Sequence, residues 1–150
     1  FLQKKFDEEK ISLDLTLSAL DDIDMHQEES ENASKSEKAR KKLHINPRDI
    51  VALRELILIL ATDENPDERN GTEALEYAQK LLDITGQNDA LTLLLISASY
   101  AELQHFGEAS DWAKRGMKVA RANKQKDLAS RIQHYANLYK RGIPLRGEAV

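Results

Sequence analysis

Ala109, Ala113, Gly116 and Ala120 follow one another at steps of four, three and four residues, which on a helix sets four small side chains along one seam. A seam of this kind lets two helix backbones approach closely, while Trp112, Met117 and Val119 fill the space beside it. The same pattern stands earlier in the chain. Ala74 and Ala78 carry it there, Leu81 takes the place of Gly116, and Tyr77 stands where the later segment has Trp112. Ala74 and Ala109 are 35 residues apart. A period of that size belongs to helix-turn-helix solenoids, in which each unit buries its apolar face on the next.

The rest of the chain reads as helices around these two. Leu53, Leu56, Ile57 and Leu60 recur at helical spacing between Asp49 and Ala61. The polar stretch TDENPDERNG breaks that helix, and Thr72 is the expected cap of the next, which stops at Gly86. A helix over about Asn88 to Leu103 carries Leu93, Ile96, Tyr100 and Leu103, and QHF links it tightly to the Gly107 to Arg121 helix. Leu128, Ile132, Tyr135 and Tyr139 then mark a last helix, ended by Gly142 and Pro144. Upstream, Ile11, Leu13, Leu15 and Leu17 alternate like a strand, but Leu13, Leu17 and Leu20 also fit one helical face. We read helix, because a lone strand has no pairing partner. An acidic loop, DDIDMHQEESE, leads to a second helix over about Ser34 to His44.

Composition excludes several classes of function. With no cysteine, the chain has no disulfide, thiolate nucleophile or Cys-based zinc site. No apolar run reaches 18 residues, so a soluble piece is expected, with the compartment left open and the cytoplasm favoured over the periplasm. Charge is uneven. Glu55 to Asp111 holds twelve acids against two bases, whereas Lys114 to Arg146 holds ten bases against the single Asp127.

The segment from Ala90 to Arg121 resembles the tetratricopeptide repeat family. Leu93, Ile96, Ser97 and Tyr100 fall where that motif wants a large residue, Leu, a small residue and Tyr, and Phe106, Ala109, Ala113 and Gly116 fall at the turn aromatic and small positions. The stretch from Asn46 to Gly86 is similar to a variant repeat. RNGTEAL, LDITG and LYKRGIP resemble terminal repeats of large bacterial proteins of this family. Ile57 stands where a smaller residue is usual, Gly116 replaces the common Ala, and about five extra residues part the first pair's helices. The resemblance implies an all-α fold of antiparallel helix-turn-helix repeats in a short right-handed solenoid. Residues 1–45 would then be an N-terminal helical segment that caps or packs on the solenoid, 46–121 two helix pairs, and 122–150 a capping helix and tail.

In this family the first helix of each pair lines a concave side where peptides or helices bind. Carried over, that places Arg54, Leu58, Leu91, Leu94, Ala98, Ala101 and Glu102 in a mainly apolar groove, with Glu102 as an orienting rim charge. Leu58, Leu94, Leu95 and Ala98 stand where clamps for chaperone tails need polar groups, so that ligand class is not expected. The groove suits a protein or peptide partner, or coverage by Ile11–Leu20 or by a second copy of the chain. An alternative is a polyanion or nucleic-acid surface of Lys114, Arg115, Lys118, Arg121, Lys124, Lys126, Arg131, Lys140 and Arg141, disfavoured because these wrap around two helices with Tyr139 as the one nearby aromatic. A third reading is a purely structural terminal module of a larger protein.

Candidate chemistry is sparse. His26, His44, His105 and His134 lack the spacing of a zinc helix, and Asp63, Glu64, Asp67 and Glu68 lack that of a calcium loop. Neither a GxSxG elbow nor a phosphate loop occurs, and Ser97, Ser99 and Ser110 read as packing or surface residues. The expectation is a non-enzymatic interaction scaffold with no cofactor and no metal.

Overall fold

The computed structural model describes residues 33–147, so the expected helix over Ile11–Leu20, the acidic loop and His26 lie outside the described residues. Within them the chain forms α1 (Lys35–Ile45), α2 (Ile50–Thr62), α3 (Gly71–Thr85), α4 (Ala90–Glu102), α5 (Phe106–Ala122) and α6 (Lys126–Lys140). A single 3-10 turn, Pro66–Glu68, lies between α2 and α3. This part of the chain is all-α. Each helix packs on the next in order, and α2 also meets α4. Lys35 is the first residue of the unit that these helices form, so α1 belongs with them.

Local chemistry sets the helix ends. Asp49 accepts from the amide of Ala52 at 3.1 Å and starts α2. For α3 the cap is Asn70, not Thr72 as the sequence suggested. Asn70 Oδ1 accepts from the amide of Glu73 at 3.1 Å from an extended backbone, and this puts Thr72 inside the first turn. The ends of α4 and α5 are built alike. Gln104 and Lys124 take left-handed backbone conformations (φ 65° and 62°), and the amides of His105 and Gln125 donate back to Tyr100 O and Ala120 O at 2.9 and 2.8 Å.

The seam read from the sequence is where helices meet. Ala74, Ala78, Ala109, Ala113 and Ala120 are buried, and a side-chain carbon on Gly116 would sit 3.4 Å from Leu93 Cβ and 3.5 Å from Ile132 Cδ1. Three helices, α4, α5 and α6, therefore converge on that glycine. At the centre, α4 buries ten of its thirteen residues, which makes it the pillar of the core rather than an amphipathic surface helix.

Polar ties join residues far apart in the sequence. Arg40 grips Glu73 with both terminal nitrogens, one at 2.8 Å, and Arg69 Nε donates to Glu102 Oε2 at 3.1 Å, each tie spanning 33 residues. Arg54 reaches Asp89 at 3.0 Å and Asn123 reaches the carbonyl of Asn88 at 3.2 Å, each spanning 35. After α6 the chain turns at Gly142 and comes back to the bundle. Leu145 is buried at 1% exposure, and Arg146 Nη1 lies 2.8 Å from Glu102 Oε1.

Candidate functional site

Two helices that lie side by side with apolar residues left over on their outer edges make a cleft. On α2, Val51, Arg54, Glu55 and Leu58 share one face by spacing, and α4 adds Leu91 and Leu95 across from them. The cleft they line holds about 250 Å³. Val51 is 62% exposed, Leu58 and Leu91 are half-buried, and Leu95 is buried beneath them.

The cleft continues in both directions. Arg54 and Leu91 also line a space of about 650 Å³ bounded by Lys124, Lys126, Asp127, Leu128 and Arg131 at the start of α6. Leu58 also lines one of about 500 Å³ with Lys35, Ile59, Thr62, Asp63, Glu64 and Gly147. The three spaces thus share side chains: two follow α2, and the third leaves it at Arg54 for the start of α6.

The expected groove residues fall into two groups. Arg54, Leu58 and Leu91 line the cleft. Leu94, Ala98 and Ala101 do not, at 0%, 1% and 0% exposure, because α4 is enclosed by α2, α3 and α5, with α6 reaching it at Ser97. Glu102 is no free rim charge either, since its two oxygens face Arg69 and Arg146. Val51 and Glu55 line the cleft and were missed, and Leu95, read only as a non-polar clamp position, lines it too. The spacing of Val51, Glu55 and Leu58 along one helical face was the signal that could have found them.

Charge on the cleft is partly spent internally. Arg54 pairs with Asp89, whose Oδ2 also accepts from Thr92 Oγ1 at 2.6 Å. Asp63 is pushed up by burial, but the amide of Asn65 and the Lys35 ammonium 3.1 Å away outweigh that and hold it below its ordinary value. Away from the cleft, Arg40 holds the Glu73 carboxyl below its ordinary value, against a smaller opposing effect of burial.

The candidate polyanion residues are exposed but dispersed. Lys114, Arg115, Lys118 and Arg121 belong to α5, where Arg115 stacks 4.4 Å over the Trp112 ring. Lys124, Lys126 and Arg131 gather at the start of α6. Lys140 and Arg141 stand at its other end, about 21 Å away along the helix.

His44, His105 and His134 are all exposed, the last two beside Tyr100 and Tyr135. Among the described residues no three His, Asp or Glu side chains gather as cation ligands, and no helix is long and apolar enough to cross a membrane. Asp63 and Glu68 hold α1 instead, through Lys35 and the amide of Ser36.

No protein-family profile matches the chain, and no curated protein or solved structure does either. Function has to be read from the geometry.

Proposed function

We infer that this chain is a non-catalytic interaction module, built from two helix pairs of the tetratricopeptide type with α1 and α6 as flanking helices, that holds another polypeptide in the cleft between α2 and α4. One observation carries the reading. Val51, Leu58 and Leu91 are apolar, line one cleft and lie at the edge of the buried core. The ties at 33 and 35 residues, and the matching turns at Gln104 and Lys124, support the repeat architecture.

An amphipathic helix suits the cleft better than a flat surface would. Val51 and Leu58 are two turns apart on α2, about 10 Å, so leucines at helical spacing on a ligand would meet them in register. The wide separation of the α6 cations weakens the polyanion reading, since phosphate neutralisation gains from bases on one face.

The test is to titrate a leucine-striped helical peptide into isotope-labelled protein and follow backbone amides. Shifts centred on Val51, Leu58 and Leu91 are expected. Shifts confined to the outer face of α5, or none at millimolar peptide, would reject the cleft as the binding site.

A further inference from the structure

The three joined spaces differ in charge, and this property rests on the groove reading above. At the C-terminal end of α2, Asp63 and Glu64 stand with Lys35, two carboxylates against one ammonium. Where the cleft leaves α2 for the start of α6, Arg54, Lys124, Lys126 and Arg131 stand with Asp89 and Asp127, four cations against two carboxylates. Val51, Leu58, Leu91 and Leu95 lie between, beside Glu55, whose carboxylate Lys42 holds at 3.1 Å. From Val51 to Asp63 the surface extends about 18 Å along α2, roughly three turns of a helix laid beside it.

We propose that the occupant is an amphipathic helix with an acidic C-terminal turn, seated with that turn against Lys124 and Lys126 and with its N-terminus toward Asp63 and Glu64. Two electrostatic effects act in the same sense. The ligand's carboxylates meet the exposed lysines, and its macrodipole places the negative end at the basic end of the groove and the positive end at the acidic one. Arg54 contributes less, because Asp89 already holds it. Lys124 is well placed because its backbone is fixed in the closed turn after α5, so its Cα position is set before the ligand arrives. A nucleic acid would gain from the lysines, but it would make no use of Val51 and would be repelled along the Asp63 and Glu64 end.

The experiment uses three peptides of equal length with the same leucine stripe, each locked helical by a side-chain crosslink. One has an acidic C-terminal turn, one an acidic N-terminal turn, and one glutamines at both ends. Affinities are measured at low and high salt against the whole chain, a Lys124→Glu/Lys126→Glu variant and a Val51→Asp variant, each checked for unchanged helicity. The C-terminally acidic peptide is expected to bind about tenfold tighter than the glutamine peptide at low salt. That advantage should shrink at high salt and vanish in the double lysine variant. Val51→Asp should weaken all three peptides. Equal binding of the two acidic peptides would overturn the direction. Equal binding of all three, still weakened by Val51→Asp, would overturn the charge assignment and leave the groove standing. Binding indifferent to Val51→Asp would overturn both. Single-stranded DNA that displaces the acidic peptide from the wild-type chain and is lost with the two lysines would assign the basic end to nucleic acid instead.

Discussion

Tyr139 is 1% exposed, and its hydroxyl lies 3.1 Å from Ser97 Oγ, which itself donates to Leu94 O at 2.7 Å. The phenol is therefore the donor to the serine. Burial pushes its pKa well above the ordinary tyrosine range. Above about pH 10 an unfolded tyrosine loses its proton while this one keeps it, so the contribution to stability falls as pH rises. Denaturant midpoints across that range should fall more steeply for the wild type than for Tyr139→Phe. At neutral pH the substitution should cost only about 0.5–1.5 kcal/mol. Parallel curves would contradict the assignment. Gly116 gives a size test at the same scale. A methyl at 3.4 Å from Leu93 is an ordinary contact, and alanine favours helix over glycine by about 1 kcal/mol, so Gly116→Ala should hold or raise the melting temperature. Gly116→Leu should lower stability by about 1–3 kcal/mol, since α4 and α6 both stand in its way. Equal losses from both would mean that the three-helix contact is not what limits size there.

At the scale of elements, α1 is fastened to α3 by the Arg40–Glu73 pair. Arg40 lowers the Glu73 pKa, so the pair's contribution is present above the ordinary glutamate value of 4.5 and is lost as pH falls through the lowered folded value. Urea midpoints measured near neutrality and in acid should therefore diverge more for the wild type than for Arg40→Ala. An unchanged acid response in the variant would remove Arg40 as the cause. Burial also separates two leucine-face substitutions. Leu94→Glu would put a charge inside the core and should abolish cooperative folding, whereas Val51→Asp on the exposed edge of α2 should change stability by no more than about 0.5 kcal/mol. Circular dichroism melts of both variants decide it.

The helices α1 to α6 were legible from the spacing of leucines and alanines, because that spacing records which faces are shielded from water. The groove was half legible, for a physical reason. On α2 the outward residues Val51 and Leu58 stand at a spacing that a sequence does display. On α4 nearly every position is apolar or small, so periodicity carries no direction, and motif position assigned Leu94, Ala98 and Ala101 to a face that packing has enclosed. Nor could the return of the tail be read: Leu145 sits in a Gly- and Pro-bearing segment with no period, and its burial depends on Glu102 holding Arg146 from far along the chain.

On the scale of the whole described unit, surfaces divide by chemistry. The exposed side of α6 is polar and includes Lys126, Asp127, Arg131, Gln133, His134 and Lys140, and that of α1 includes Lys38, Lys41, Lys42 and Ile45. The cleft along α2 does offer apolar contact, through Val51, Leu58 and Leu91, and it is there that we propose a partner binds. The most direct measurement is a calorimetric titration of a leucine-striped helical peptide into the wild-type chain and into Val51→Asp, both shown to be equally helical. Binding to the wild type that falls at least tenfold in the variant is the predicted result. Equal affinity for both proteins, or no binding to either, would contradict the groove.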